Sequence, residues 1–446
     1  MTIHNNFALF SAAILASTLF FAACSDDSSS APEEKTSHEE NASHEEHHGH
    51  HMEEPSEGDL TLGDEDIQDG FIFLQDTTIN GVLTVSTTKP GATVLKNVKV
   101  TGNLLIKRSG RVDFSGSADV VHVGSSNTDV YAFEDEAQVN GHHFMGKNNT
   151  FTTKSFAEYQ NVDWTEKSVD LATGIHLAYT VTGDEKGTPV VLIHGLTDGR
   201  VSWSQVAPSL AKKGYRVYVP EYRGNGKTDK PIDESSYSVA ELASDIAAFV
   251  EKLGLKKVHI VGHSLGAFIA QELSITNAEI VSSITLIGSG ASVDKKNATL
   301  DWLVNGSDDE SFDGIYAYDS TQKLPESFIQ AWGYSTNPDK DFQAANLEHL
   351  KQVPYYVWKY LVKNLLKIDN TKRLSSIATD VQIIWGSKDA LFDSESQKTL
   401  QKGLSKAKSV VFHEVEGADH NTHWGSAEDV KTVTGYIDEF IKSLKK

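Results

Sequence analysis

KVHIVGHSLGAFIAQEL, residues 257–273, joins an apolar run to a segment of small and apolar residues through one tight motif. The run before the motif is typical of a strand buried on both faces of a parallel sheet. The motif is G-x-S-x-G, with Gly262, Ser264 and Gly266, and it indicates a strand-to-helix turn so sharp that the neighbours of the serine must lack bulk. Such a turn lifts the Ser264 hydroxyl above the sheet edge at a helix N-terminus, where developing negative charge is favoured. We therefore predict that Ser264 is a nucleophile.

A nucleophilic serine needs a base, and the base needs an acid that orients it. Asp389, in IIWGSKDALF, follows an apolar run, and His420, in GADHNTHW, follows the last such run of the chain. The order Ser264, Asp389, His420 predicts a catalytic triad. Asp393 is the alternative acid. His423 is expected near the pocket mouth or at the start of the final helix.

An acyl-transfer site also needs two backbone N–H groups for the oxyanion. Leu265, directly after the nucleophile, supplies one. The second is expected from a loop after an earlier strand, and VLIHGLTD places the N–H of Leu196 there. His194 is interpreted as a structural residue bonded within that loop.

Apolar runs continue on both sides of the motif and alternate with helical patterns. The predicted strands are 189–195, 215–224, 257–264, 282–290, 380–387 and 408–417. A helix is predicted over 238–254, with Ser238 and Glu241 as a capping box and Gly254 as the C-cap. Strands that alternate with helices predict an α/β fold with a mainly parallel sheet.

Residues 160–446 resemble the α/β-hydrolase superfamily, and especially its cap-bearing members, through VVLIHGLTDGRVSW, YRGNGKTDKP, VHIVGHSLGAFIAQEL, IIWGSKDALF and GADHNTHW. The resemblance implies an α/β-hydrolase fold with helices on both faces of a mostly parallel sheet and a helical cap at about 291–379. Esterases, lactonases, C–C bond hydrolases and cofactor-free haloperoxidases belong to this group. Its dehalogenases and epoxide hydrolases use an Asp nucleophile, so Ser264 argues against both chemistries. The sequence departs from the usual pattern at Glu221, Asn225 and Asp419.

The segment 291–379 is rich in aromatic residues, of which some are expected in the core of the cap and others around an apolar pocket over Ser264. Together with the predicted triad, this composition predicts a serine hydrolase for a small hydrophobic ester, thioester or lactone, with no cofactor and no metal. A C–C bond hydrolase or a haloperoxidase-like or perhydrolase-like enzyme is the alternative. A non-catalytic surface-binding lipoprotein is the alternative from another class.

Residues 67–155 have a different pattern, with short apolar stretches broken by Gly and Asn. INGVLTV (79–85) aligns with VTGNLLI (100–106) at an offset of 21 residues. Such a repeat predicts a small parallel β-solenoid, and a small β-sandwich is the alternative. We interpret this region as a spacer or a docking module.

The whole chain has 446 residues and a net charge of −22, and residues 25–70 alone carry −15. Nucleic-acid binding is not expected because it needs a basic face. The apolar run 7–23 ends in small residues before Cys24, the only cysteine of the chain. This layout resembles a bacterial lipoprotein signal peptide over 1–24, with Cys24 as the lipidated residue. Plain secretion and an uncleaved anchor are the alternatives.

Residues 25–66 are predicted to be a disordered acidic tether, because they contain almost no large apolar residues. Six histidines between His38 and His51 make weak divalent-metal binding an alternative to a plain linker. A lipidated tether predicts a bacterial cell-envelope location, with the protein anchored in a membrane through lipid. Secretion is the second expectation.

Overall fold

The computed structural model describes residues 50–51, 56, 58–132, 137–152, 165–307, 312–318, 324–335 and 337–445. The predicted signal peptide with Cys24 lies outside these residues, as does nearly all of the His-rich tether, so both stay predictions. None of the described helices combines the length and the apolar character that crossing a membrane requires.

The N-terminal part of the described chain is a β region of short strands. Their bounds are β1 His50–His51, β2 Leu60–Leu62, β3 Phe71–Ile79, β4 Leu83–Val85, β5 Ala92–Val100, β6 Leu104–Ile106, β7 Gly110–Val123, β8 Thr128–Tyr131, β9 Ala137–Phe144 and β10 Thr150–Thr152. The described strand pairs of this region are all parallel, with β3, β5 and β7 in one ladder and β2, β4, β6 and β7 in another.

The register of the ladders follows the repeat in the sequence. Leu83 lies beside Leu104, and Phe71 lies beside Ala92, so both strand pairs keep the 21-residue offset. Aliphatic side chains such as Leu74, Leu83 and Leu104 are fully buried in the interior. The β-solenoid stays our interpretation of these parallel ladders.

The β region begins earlier than residue 67. Strand β2 pairs with β4, and Leu62 is buried in the interior. The prediction of disorder up to residue 66 is therefore wrong for this stretch. Leu60 and Leu62 alternate with a polar threonine, and that short alternation is enough to add one strand to a core that the following strands build.

Residues 165–445, called the hydrolase region because they carry the resemblance to the α/β-hydrolases, contain a second sheet that is mostly parallel. Its strands are β11 Thr165–Asp170, β12 His176–Thr182, β13 Thr188–Ile193, β14 Tyr215–Pro220, β15 Val258–His263, β16 Val281–Ile287, β17 Asp380–Gly386 and β18 Ser409–Val415. The order across the sheet is β11-β12-β14-β13-β15-β16-β17-β18. β12 pairs antiparallel with β11 and β14, and β13 to β18 run parallel. The predicted α/β fold is confirmed.

Helices connect the parallel strands. The described ones are α1 Val206–Ala211, α2 Val239–Lys252, α3 Leu265–Thr276, α4 Ala298–Asn305, α5 Glu326–Trp332, α6 Lys340–Gln352, α7 Tyr355–Leu365, α8 Ser394–Gly403 and α9 Ala427–Ser443. The Ser238 hydroxyl accepts the Glu241 N–H at the start of α2, and Gly254 follows its end with φ +67°. Because parallel strands end at the same edge of a sheet, the loops after β13, β15, β17 and β18 meet there.

Helices α4 to α7 form the cap between β16 and β17. Phe328 is central to it, because its ring centroid lies 4.3 Å from that of Phe312 and 5.3 Å from that of Trp358. Trp302 and Trp332 pack on the same cluster. These five aromatic side chains therefore stabilise the cap by packing against one another.

The β region packs on this cap. Phe71 meets Tyr356 of α7 edge to face at 4.9 Å between ring centroids, and the Tyr131 hydroxyl donates to the Lys351 carbonyl of α6 over 3.2 Å. Lys96 forms an ion pair of 2.6 Å with Asp229, in the loop after β14. The β region therefore packs closely against the rest of the described chain. A plain spacer or a free docking module would not need these contacts.

Candidate active site

Ser264 lies on the sharp turn that its motif predicts. β15 ends at His263 and α3 begins at Leu265, so Ser264 alone makes the turn, with φ +50°. A Cβ on Gly262 would lie 2.2 Å from the Gly266 carbonyl oxygen, and a Cβ on Gly266 would lie 2.3 Å from that of Ile193. Only glycine fits at either position. A non-glycine residue in this backbone region stores about 1–3 kcal/mol of strain, which the packing around it must offset.

Asp389 and His420 form a hydrogen-bonded pair in the loops after β17 and β18. His420 Nδ1 lies 3.0 Å from Asp389 Oδ2 and 3.1 Å from Oδ1. The Asp389 side chain is fully buried, and its Oδ1 also accepts the N–H groups of Leu391 (2.8 Å) and Phe392 (3.1 Å). These two backbone hydrogen bonds fix the orientation of the Asp389 carboxylate independently of His420.

The hydrogen bond between Asp389 and His420 also affects the pKa of His420. Burial disfavours the charged ring, but the charge and hydrogen bond of Asp389 outweigh it and raise the pKa of His420 above its ordinary value. Asp393, the alternative acid, lies elsewhere and accepts the Ser396 N–H over 2.8 Å as the N-cap of α8.

Ser264 and His420 both adjoin the end of β16. The Ser264 N–H donates to the Ile287 carbonyl over 2.9 Å. A Cβ on the next residue, Gly288, would lie 3.0 Å from His420 Nδ1. The structure therefore brings the three predicted triad residues to one edge of the sheet.

The loop after β13 presents backbone N–H groups to the same edge. The Gly195 carbonyl accepts the Tyr222 hydroxyl over 2.6 Å and His194 Nδ1 over 2.9 Å. In a trans peptide the C=O and the following N–H point in opposite directions, so the Leu196 N–H points away from these two donors. Leu265 is the first residue of α3, and a first-turn N–H has no acceptor within its own helix.

His423 lies deeper than the sequence suggests. Its side chain is fully buried, with ring centroids 4.3 Å from Trp203 and 4.2 Å from His263. Burial, together with the nearby His263 and His420, moves its pKa well below the ordinary value. Helix α9 begins at Ala427, with Ser426 as its N-cap. His423 is therefore a packed, neutral ring, neither at a pocket mouth nor at a helix start.

Two residues that the sequence did not single out contact the site. His263 is 1% exposed, and its Nε2 lies 3.1 Å from the His420 carbonyl oxygen. Its Nδ1 lies 3.3 Å from Asp198 Oδ2, in the loop after β13. Burial lowers the pKa of His263, and the Asp198 hydrogen bond opposes that shift. The position of His263 beside the nucleophile is the only local signal, since nothing in the sequence pairs it with Asp198.

Glu221 and Asp419, where the sequence departs from the usual α/β-hydrolase pattern, have separate structural roles. Glu221 is fully buried, with Oε1 3.5 Å from Arg200 Nε and 3.9 Å from Nδ1 of His349 in α6. Burial raises the pKa of Glu221, but Arg200, His349 and His194 together lower it, so the net shift is downward. Asp419 is exposed, and its Oδ1 accepts the Asn421 N–H over 2.9 Å, which braces the turn that carries His420.

Within the described ranges, no three His, Cys, Asp or Glu residues are placed to hold a metal ion.

Comparisons with known proteins agree with this architecture. Residues 188–427 match the family model for the alpha/beta hydrolase fold. Epoxide hydrolase 1 from Caenorhabditis elegans is 26% identical over 322 residues, which are 68% of this chain and 77% of that protein. The 2-hydroxy-6-oxononadienedioate/2-hydroxy-6-oxononatrienedioate hydrolase 1 from Pseudomonas putida is 28% identical over 292 residues, which are 61% of this chain and 93% of that protein.

Solved structures share the fold at lower identity. A bacterial membrane phospholipase A superposes with a TM-score of 0.53 and 20% identity, over 64% of this chain and 87% of that one. An esterase from Rhodococcus sp. ECU1013 superposes with a TM-score of 0.50 and 22% identity, over 63% of this chain and 99% of that one. At these identities the likeness concerns the fold alone.

Proposed function

The chain belongs to the alpha/beta hydrolase fold family, and from that premise we propose that it is a serine hydrolase for carboxylic esters, thioesters or lactones of small hydrophobic substrates. The observation that carries this proposal is the buried Asp389–His420 hydrogen bond at the edge of the sheet where Ser264 makes its strained turn. A base that is already oriented beside a raised serine is the arrangement that acyl transfer uses.

Each residue has a defined part in the proposed reaction. The Ser264 hydroxyl attacks the carbonyl carbon while His420 Nε2 takes its proton, and Asp389 keeps Nδ1 protonated and stabilises the charged ring. The N–H groups of Leu196 and Leu265 hold the oxyanion. His420 then protonates the leaving alcohol, thiol or ring oxygen. Water, deprotonated by His420, releases the acyl group from Ser264.

The nucleophile favours carbonyl substrates over epoxides. A serine oxygen that opened an epoxide would form an ether, which water under the same base catalysis does not cleave. The same oxygen forms an ester with an acyl group, and water does cleave that ester. The similarity to a Caenorhabditis elegans epoxide hydrolase therefore supports the scaffold, while Ser264 supports acyl chemistry.

C–C bond hydrolysis is the second candidate, because the Pseudomonas putida relative matches over 93% of its length. The name of that relative specifies a dicarboxylate, and a buried dicarboxylate needs unpaired cations. Here the buried Arg200 and Lys227 already pair with Glu166, over 2.7 Å and 2.5 Å. These two cations are therefore already engaged, and hydrolysis of uncharged esters stays our first proposal.

Replacement of Ser264 by alanine tests the proposal. We expect Ser264→Ala to abolish hydrolysis of p-nitrophenyl esters and labelling by a fluorophosphonate probe. Ser274→Ala is the matched control: Ser274 lies on α3, the helix that follows Ser264, and its hydroxyl bonds only to the Ala270 carbonyl among the contacts described. Full labelling of Ser264→Ala would overturn the assignment. No labelling of the folded wild-type protein would favour the non-catalytic lipoprotein.

We also propose that Cys24 anchors the enzyme to a membrane of a bacterial cell envelope. The support is the run of residues 7–23, with its small residues directly before Cys24. Cys24→Ser should abolish incorporation of labelled palmitate and move the enzyme from the membrane fraction to the soluble fraction. A variant that stays in the membrane indicates an uncleaved anchor, and a soluble wild type indicates plain secretion.

Calorimetric zinc titration of the protein with and without residues 38–51 tests whether the His-rich tract binds a divalent metal.

A further inference from the structure

We propose that His263, supported by Asp198, positions the catalytic histidine by holding the backbone of His420. This inference rests on the proposed serine-hydrolase function. His263 is not assigned a contact with the substrate, so it is a positioning residue. His263 links three loops of the site. It adjoins the turn at Ser264 in the chain, and its imidazole contacts Asp198 in the loop after β13, the proposed oxyanion loop, and the His420 carbonyl in the loop after β18.

The direction of the hydrogen bonds follows from the partners. A carbonyl oxygen only accepts, so His263 Nε2 carries the proton and donates it to His420 over 3.1 Å. Nδ1 then faces the Asp198 carboxyl at 3.3 Å, a contact that requires one further proton on the pair. That proton lies on Nδ1 or on the carboxyl, and either place preserves both contacts.

The hydrogen bond from His263 restrains the orientation of His420 because it fixes that residue at a second point. Asp389 fixes Nδ1 of the ring, and His263 fixes the carbonyl of the same residue. With both ends held, the ring has little freedom to rotate, and in the proposed mechanism this keeps Nε2 available to the Ser264 hydroxyl. Misplacement of a catalytic group by about 1 Å can cost about 10²-fold in rate.

The surroundings leave the His263 ring no other place. A Cβ on Gly195 would lie 2.7 Å from His263 Nδ1 and 2.4 Å from Asp198 Oδ2, so the pair packs directly on the oxyanion loop. On the other side the ring lies 4.2 Å from His423 and 4.9 Å from His420, centroid to centroid. The ionisable groups close to His263 therefore include His194 as well as Asp198, His420 and His423.

Two amide substitutions separate the two contacts of His263. The side-chain nitrogen of glutamine reaches the place of Nε2, whereas that of asparagine reaches the place of Nδ1. We expect His263→Gln to keep the bond to His420 and to retain kcat within about threefold. His263→Asn and His263→Leu should lower kcat by about 10²-fold. KM should change less than twofold in all three, because the substrate contacts are untouched.

A space-filling role predicts another ranking. If His263 only packs, leucine should be tolerated best and the two amides should behave alike. Equal kcat for His263→Gln and His263→Asn, or wild-type kcat for His263→Leu, would overturn the proposal. Thermal unfolding of each variant identifies losses that come from misfolding.

Asp198 supplies a second test that does not alter His263. Asp198→Asn can donate an N–H to Nδ1 and so keeps the ring in the tautomer that holds His420. Asp198→Ala leaves Nδ1 without that support. We expect kcat of Asp198→Asn to exceed that of Asp198→Ala at least tenfold, and equal values would contradict the proposal. An active Ser264→Ala would instead disprove the proposed function itself, so the two failures are distinguishable.

Discussion

The β region and the hydrolase region both contain parallel sheets, but their strands are connected in different ways. In the β region short turns join the strands and the interior is mainly aliphatic. Polar side chains pair between neighbouring strands, as Asn97 does with Asp76 over 2.9 Å and Asn140 with Asp119 over 2.9 Å. In the hydrolase region helices return the chain to the start of the next strand, so Ser264, Asp389 and His420 follow separate strands to one edge. Connectivity, more than strand composition, therefore places a catalytic site.

The largest expected effect is the loss of the acid in the hydrolase region. Asp389→Asn should lower kcat by about 10⁴-fold, because the amide no longer selects the tautomer of His420 that accepts the serine proton. Ester hydrolysis under saturating substrate measures it. Asp393→Asn is the matched control: asparagine caps a helix about as well as aspartate, so this variant should keep both its stability and its kcat. A reversal of these two results would show that the loop after β17 supplies the other acid.

The next effect concerns the β region and should leave catalysis untouched. Leu104→Ala should lower the free energy of unfolding by about 2–5 kcal/mol, because it opens a cavity in a fully buried interior. Leu105→Ala, on the outward face of the same strand, should cost much less. Chemical denaturation measures both, and kcat below the transition should equal that of the wild type. A lower kcat in folded Leu104→Ala would show that the β region and the site are coupled.

The pH dependence of catalysis sharpens the description of the site. His420 must be neutral to accept the serine proton, so kcat/KM should rise about tenfold per pH unit below its pKa and level off above it. Asp389 raises that pKa, so the midpoint should lie above about 6.5. Asp419 contributes to the same shift, so Asp419→Asn should move the midpoint to lower pH. A midpoint below 6.5 in the wild type would mean that the Asp389 contact is weaker in solution.

The smallest effect lies where the two regions meet. Lys96 and Asp229 form an ion pair of 2.6 Å whose lysine side chain is 31% exposed. Lys96→Met should therefore cost at most about 1 kcal/mol in thermal unfolding. Lys99→Met, at an exposed position of the same strand, should cost nothing measurable. If Lys96→Met separated the unfolding of the two regions into two transitions, this ion pair would be more important for their association than its exposure indicates.

Local patterns predicted a large part of this molecule. Strands β13 to β18 lie within a few residues of the predicted apolar runs, because strands inside a parallel sheet need apolar stretches. The antiparallel strands β11 and β12 were not predicted, and β11, Thr165–Asp170, is polar and largely exposed. The 21-residue repeat of the β region in the sequence equals the offset between paired strands in the structure, where Leu83 lies beside Leu104. The boundary at residue 67 was wrong because three residues, Leu60–Leu62, are too short a pattern to predict a strand without the core that buries them.

The amino-acid sequence by itself determined the features whose causes are neighbours in the chain. The turn at Ser264 depends on Gly262 and Gly266, two positions away on either side, and the candidate acid and base follow their strands directly. The tertiary structure alone decided which distant groups meet. His263 contacts Asp198 across 65 positions, His423 lies buried against Trp203, and the β region packs on the cap. These contacts join residues far apart in the chain, so only the packing of whole elements brings them within bonding distance.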